Sequence, residues 1–445
     1  MVSVLQIKNK KYIFLRFSQI ILEYSDDLLR LMRNVEHKSK EIEELRNNVE
    51  LKEIFDLYRY EKKLEVMFQN MNNEYIYNDK VKLTGAQINV ANGCNLKCKY
   101  CFADGGTHGK SNIMSLEMAI DVVNYIHLNY KENHKMNLCI IGGEPLFNQK
   151  TFKTIAEYSK KTFSDSEVEL TTTTNGTLLD DEIKHLFKSY NVGYMISLDS
   201  HEKSVNDFLR PSKDNKSTYD KIFNNYLRDK NEYKDIFVHI TVTPYNKNIS
   251  DIAKNLLDLG IKNMLFSEVK SDKKEFLFTQ NDVVILKEEY DKLTDIIIDR
   301  INGGEEVVCF PLMNNLKKLE KRQPVKYRCG ALSNSLAFDP NGDIYPCDML
   351  MWDKYRIGNI DEGIDEKRLL ELKRLLLDED SCKVCWARYL CGGECLSDKT
   401  WENKEQRYFR CEIRRHIYKL RIYLYEYIIK NHANYNFESY KFTQE

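Results

Sequence analysis

Between residues 86 and 268 six short apolar runs, at 86–91, 137–141, 167–174, 193–198, 238–243 and 263–268, alternate with stretches of helical periodicity. Those stretches lie at 115–130, 149–161, 180–190, 217–228 and 248–258. Nothing else in the chain restricts its fold so tightly. The apolar runs have strand length, and each intervening stretch is long enough for a helical crossover. Ser115 and Asn248 suit helix N-caps, and Gly260 suits a helix end. The pattern predicts an α/β fold, a parallel sheet curling into a partial (β/α)6 barrel of the TIM type. Sites in such folds gather at the C-terminal strand ends. The periodic stretch "NDVVILKEEYDKLTDIIIDRI" is expected to close this unit, which spans 84–302.

The flanks read differently. Residues 1–80 open with the apolar runs "VSVLQI", "YIFLRF" and "IILEY", followed by helix-like "DDLLRLMRNV" and "SKEIEELRNNVELKEIFDLYRY". That is a winged-helix-like inventory. Residues 303–445 hold a second set of cysteines and a Tyr- and Ile-rich final helix expected at about 411–430.

At 445 residues the chain has room for roughly three domains, so its cysteines are not needed to staple a small fold. Lys and Arg number 67 against 68 Asp and Glu, a balance that gives no electrostatic case for nucleic acid or an anionic membrane as partner. The start lacks a signal-peptide pattern, and no apolar run reaches transmembrane length, so a cytoplasmic protein is expected. Twelve cysteines in such a chain are not expected to be disulfides, because the cytosol keeps thiols reduced. Cys139 and Cys309 stand alone among apolar neighbours and suit buried small hydrophobes. The other ten are grouped.

Cys94, Cys98 and Cys101 follow the first barrel strand at C-x3-C-x2-C spacing, one short of the four ligands of structural zinc. Three thiolates fit a four-iron cubane whose fourth iron stays open. A zinc site completed from a distance, or three reactive thiols, also fits the spacing alone.

With Tyr100 before the last cysteine, this loop resembles the signature of the radical S-adenosylmethionine (SAM) superfamily. The resemblance continues through "GGEP" (Gly142, Gly143, Glu144, Pro145), "TTTTNG" with Asn175, "ISLDS" with Ser197 and Asp199, and Arg210 in "NDFLRP". Ser200 stands where the family has glycine. The resemblance implies that Cys94, Cys98 and Cys101 hold a 4Fe–4S cluster. The open iron would take SAM, with Tyr100, Gly142 to Pro145, Asn175, Ser197, Asp199 and Arg210 around it. No side chain is assigned as acid or base.

The distal cysteines run C329-x17-C347, then C382-x2-C385-x5-C391-x3-C395, then C411. Seven suit two further clusters better than two zinc sites, which would need an eighth ligand. The pattern resembles the SPASM domain of peptide-modifying radical SAM enzymes. It implies an auxiliary cluster I on Cys329, Cys347 and Cys395, and an auxiliary cluster II on Cys382, Cys385, Cys391 and Cys411. Anaerobic sulfatase-maturing enzymes have a further cysteine where this chain has Ser335.

Residues 94–114 and the following "MSLEMAIDVV" look closest to the thioether-forming ranthipeptide maturases, of the six-cysteines-in-forty-five type, and more distantly to sactipeptide ones. This implies three 4Fe–4S clusters, SAM and a cysteine-containing precursor peptide whose leader is read by residues 1–80. It also implies an electron donor such as flavodoxin or ferredoxin. Formylglycine formation, carbon–carbon crosslinking and a non-catalytic zinc module are the alternative readings.

Overall fold

The computed structural model describes residues 2–36, 49–77, 81–130, 134–163, 167–229, 236–314, 316–401 and 403–437. Strands β1 (Val2–Ile7), β2 (Lys10–Leu15) and β3 (Ile21–Glu23) form an antiparallel meander in that order. Their alternate residues Ile13 and Leu15 are buried with Leu29 and Met32 of the helix Asp26–Glu36. A long helix, Val49–Tyr77, follows. The first ten residues of the expected 39–60 stretch lie outside the described residues.

The barrel strands are β4 (Gly85–Asn89), β5 (Met136–Ile141), β6 (Val168–Thr174), β7 (Val192–Ser197), β8 (Phe237–Val242) and β9 (Asn263–Glu268). All pair in parallel, in chain order. The expected helices form between them, joined by Lys203–Leu209, which periodicity had not indicated because it spans barely two turns. Ser115 caps its helix by accepting from the Met118 N–H at 3.1 Å. Asn248 occupies an N-cap position but its side chain makes no cap bond. Gly260, at φ +84°, ends the same helix, as a residue without Cβ does most easily.

Five strands extend the sheet beyond the six expected, one at one edge and four at the other. β10 (Val308–Phe310) lies past the expected 302 boundary, yet pairs in parallel with β9. β11 (Ser335–Phe338) pairs in parallel with β4 and leads through β12 (Asp343–Tyr345), β13 (Gly358–Asn359) and β14 (Gly363–Ile364). The eleven strands form an open order from β10 to β14, so the C-terminal region grows directly from the barrel's first strand. Both additions are too short for an apolar period to reveal.

Strand alternation sorts the barrel. Ile88, Ile140, Ile196, Ile240 and Phe266 are buried under the helices. On the opposite face Met195, Phe237 and Val308 form a separate apolar plug with Leu265 and Phe310. One pleat further along, toward the C-terminal ends, that inner face turns polar with Ser197, His239 and Ser267. The site therefore has a dry floor.

The final helix runs Lys404–Asn431, starting seven residues before the expected 411. Asn403 caps it by accepting from the Gln406 N–H, a signal the apolar pattern does not carry. It packs along the helix Gln280–Asn302, and Gln406 bonds both backbone groups of Phe278. Among the described residues no helix is long and apolar enough to cross a membrane.

Candidate active site and cysteine clusters

The loop after β4 carries Cys94, Cys98 and Cys101 and lies against the Gly142–Pro145 turn that ends β5. Gly143 and Glu144 donate their N–H groups to the carbonyls of Ala91 and Gly93, each at 2.9 Å. The contact requires glycine. A Cβ on Gly143 would lie 2.4 Å from the Gly93 oxygen and 2.6 Å from Gly106 Cα. Glu144 is buried, and its carboxylate accepts from Thr174 Oγ1 (2.6 Å), the Asn175 N–H (2.7 Å) and the Leu146 N–H (3.2 Å). It thereby ties the β5 and β6 ends together. Asn175 donates to Asn95 Oδ1 at 2.8 Å and lies 3.7 Å from Cys94 Sγ.

Three further candidates meet in one buried network. Tyr100 donates its hydroxyl to Asp199 Oδ2 at 2.6 Å, and Arg210 Nη1 donates to the Tyr100 oxygen at 2.6 Å. Asp199 Oδ1 accepts the Thr241 N–H at 3.0 Å. Burial raises the Asp199 carboxyl although Arg210 opposes it, and burial raises Tyr100 further. Among the described residues Arg210 Nε is buried without a partner, a donor that an incoming polar ligand would satisfy. Burial pushes the Cys94 thiol up to about 11 and Cys98 to about 12. Such thiols deprotonate when a metal takes the proton's place, so the donor set fits a cationic cluster.

Ser197 ends β7 in register with His239 of β8. His239 was not singled out from the sequence, although a lone imidazole at an inner-face position of "FVHITV" was the available signal. Its Nε2 lies 2.6 Å from Ser267 Oγ, and burial, then Arg210, lowers it to about 4. A second missed feature is the tip of the cysteine loop. Lys110 pairs with Asp353 at 2.5 Å and lies 3.3 Å from the Tyr345 hydroxyl, tying the loop to the C-terminal region. His108, buried, lies edge-on to both Phe102 and Trp352.

The seven distal cysteines divide by position. Cys329, Cys347 and Cys395 are electrostatic neighbours around Lys270, whose Nζ lies 3.4 Å from Cys395 Sγ. Ser335 opens β11 and bonds back to the Gly330 carbonyl at 2.9 Å. Ala337, two residues on, pairs with Tyr345, two residues before Cys347, so Ser335 and Cys347 lie at the same end of the β11–β12 hairpin. Cys382, Cys385, Cys391 and Cys411 line a separate cavity of about 300 Å³ with Arg388, Glu394, Arg407 and Arg414. Four thiols converging on a cavity of that size fit a four-thiolate cubane. Cys139 and Cys309 are both buried, Cys309 among core residues of the outer face.

Comparison with known proteins places this geometry. Residues 88–259 match the Radical SAM superfamily, and residues 329–386 match SPASM, an iron–sulfur cluster-binding domain. The radical SAM cyclopropyl synthase TigE of Paramaledivibacter caminithermalis is 25% identical over 343 residues, 71% of this chain and 68% of that protein. The structure of native anSMEcpe with bound AdoMet covers 78% of this chain and 99% of its own, with a TM-score of 0.64 at 20% identity. Streptococcus suis SuiB bound to precursor peptide SuiA covers 89% of this chain and 94% of its own, with a TM-score of 0.54 at 14% identity. The fold is a radical SAM α/β barrel continued by a C-terminal SPASM domain. The protein is a radical SAM enzyme, and its cofactors are 4Fe–4S clusters and SAM.

Proposed function

We propose that this enzyme modifies a ribosomally made precursor peptide, joining a cysteine sulfur to a carbon of another residue as the ranthipeptide maturases do. The observation that carries the reading is the convergence of ten cysteines into three groups, one at the mouth of the barrel and two in the C-terminal domain. On this reading the chain holds three clusters, on Cys94, Cys98 and Cys101, on Cys329, Cys347 and Cys395, and on Cys382, Cys385, Cys391 and Cys411.

Cys94, Cys98 and Cys101 would hold a cluster beside SAM, and the pair would supply radical chemistry able to take hydrogen from an unactivated carbon. The protein's own part is to hold and shield it. The Gly142–Pro145 turn, Asn175 and Ser197 frame the ligand, and Tyr100, Asp199 and Arg210 fix the loop beneath it. The Met195–Phe237–Val308 plug closes the barrel below. Thioether formation removes two hydrogens overall: one leaves with the radical, and the other leaves as an electron and a proton. With serine at 335, Cys329, Cys347 and Cys395 would hold a cluster by three thiolates, which could take a substrate thiolate and accept that electron.

The N-terminal module is proposed to read the leader peptide. Among the described residues β3 has a strand partner on one side only, so an extended peptide can add at its free edge. Support comes from the SuiB comparison, which spans more of this chain than the anSMEcpe one. The electron donor is proposed to be a flavodoxin or ferredoxin, and exposed Lys97 and Lys99 between the cysteines suit an acidic protein. The deciding experiment is anaerobic reaction with a cysteine-rich peptide encoded beside this gene, read by tandem mass spectrometry. Loss of two hydrogens per crosslink, mapped to a cysteine and a carbon of another residue, is expected. Conversion of cysteine to an aldehyde, or a new carbon–carbon bond, would replace thioether formation with another SPASM chemistry.

A further inference from the structure

The two distal cysteine groups are joined by a chain of buried and half-buried charges. Lys270 Nζ lies 3.4 Å from Cys395 Sγ, donates to Ser397 Oγ at 2.6 Å and pairs with Asp398 Oδ1 at 2.7 Å. The other carboxylate oxygen, Oδ2, accepts from Arg414 Nη2 at 2.7 Å. Arg414 in turn lines the cavity of the four other thiols. One carboxylate thus spans from the wall of one cysteine group to the wall of the other.

Asp398, with 1% exposure, faces Lys270, Arg414, Arg410 and Arg328. Glu268 acts on Arg414, Asp348 on Lys270, and Glu394 adjoins Asp398. Arg328 adjoins Cys329 in sequence and also reaches Cys391 Sγ at 3.9 Å. Thiolate-held clusters at both ends would add their own charge to this network. In so dry a region a charge change at one end is poorly screened from the other.

We propose that Asp398 is a shared counter-ion coupling the two auxiliary sites, so that charge gained at one shifts the reduction potential of the other. This rests on the assignment of the seven distal cysteines to two clusters. Cluster potentials follow local net charge and hydrogen bonds to sulfur, and Lys270 supplies both to Cys395. Lys270, Asp398 and Arg414 are positioning residues: none needs to touch substrate.

The test is an anaerobic redox titration of the full-length, cluster-loaded enzyme, followed by electron paramagnetic resonance. Asp398→Asn keeps the shape and removes the charge. Both auxiliary potentials should rise, while that of the barrel-mouth cluster stays put. Lys270→Met should lower the potential of the three-thiol cluster. It should also lower that of the four-thiol cluster, because fewer cations then offset the negative charge of Asp398. Asp348→Asn, next to Cys347 and linked to the chain of charges only through Lys270, should move the three-thiol cluster more than the four-thiol one. A simple structural clamp predicts altered stability without this pattern. If Asp398→Asn loses a cluster, the contrast between Lys270→Met and Asp348→Asn still decides. Two distal clusters with no shift at the four-thiol site in Lys270→Met would overturn the coupling. Fewer than two distal clusters in the wild-type protein, by iron and sulfide analysis, would overturn the assignment and the coupling with it.

Discussion

The barrel-mouth cysteines and the distal seven are built by opposite means. Cys94, Cys98 and Cys101 sit within eight residues of one loop, which is pressed by backbone contact onto the Gly142–Pro145 turn. The four-thiol group instead gathers residues from Cys382 to Cys411 around a cavity, between short helices and the start of the terminal one. The first site depends on close backbone approach. The second depends on side chains and buried charge brought together from distant segments. Loss of a cysteine, of a glycine or of an interdomain contact should therefore be felt differently in the two places.

The largest contrast is in the cysteines themselves. Cys98→Ala is expected to abolish SAM cleavage, whereas Cys385→Ala should leave slow cleavage in the absence of peptide. If the proposed three clusters are present, disabling either site should lower the iron content by about a third of a ~12-iron total. Anaerobic assay of deoxyadenosine and of iron checks both. Equal loss of cleavage in the two variants would erase the distinction.

A glycine test probes the backbone side of the comparison. Gly143→Ala forces a Cβ to within 2.4 Å of a carbonyl oxygen, so the loop must shift. Overpacking of this kind costs roughly 1–3 kcal/mol, and SAM affinity should fall by about tenfold or more. Gly105→Ala in the same loop meets no atom within 4 Å and strains only its φ of +68°. That costs about 1–2 kcal/mol, with a smaller effect on SAM binding. Equilibrium binding of SAM to the reconstituted proteins separates the two.

An interdomain contact probes the other side. Phe17, just after β2, stacks with Phe68 and lies tilted against Tyr389, which lies between Cys385 and Cys391. Gln19 and Arg16 reach the backbone carbonyls of Tyr389 and Cys382 at 2.7 and 3.4 Å. Phe17→Ala should cost about 3–5 kcal/mol of this packing. It should raise hydrogen exchange across 382–391 while leaving exchange across 94–101 unchanged. Protection lost equally in both regions would mean that the module acts on the whole fold.

The smallest effect concerns pH. His239 and His108 are both held down near 4, chiefly by burial. The unfolded chain takes up these protons near pH 6.5, and the folded chain does so only near 4. Stability is therefore expected to fall as pH drops from about 6.5 to about 4. His108→Gln with His239→Gln should flatten that slope, measured by urea unfolding across the range. An unchanged slope would show that other groups set it.

What the sequence determined by itself is whatever short-range repetition can carry. The short apolar runs at 137–141 or 238–243 have strand length, and the C-x3-C-x2-C spacing puts three thiols in one loop. Six strands and their helices followed from that logic. β10 and β11 did not, since three or four residues contain too little period and their pairing is decided by the sheet edges already present. Tertiary structure alone also decided the distal pairings. Cys395 lies 125 residues from Lys270 in sequence, and His239 lies 28 from Ser267, yet each pair is in contact. Chain packing, which no local spacing records, determines such contacts. The same holds for Tyr100, legible as an aromatic beside a cysteine but, once folded, a hydrogen-bonded bridge between Asp199 and Arg210.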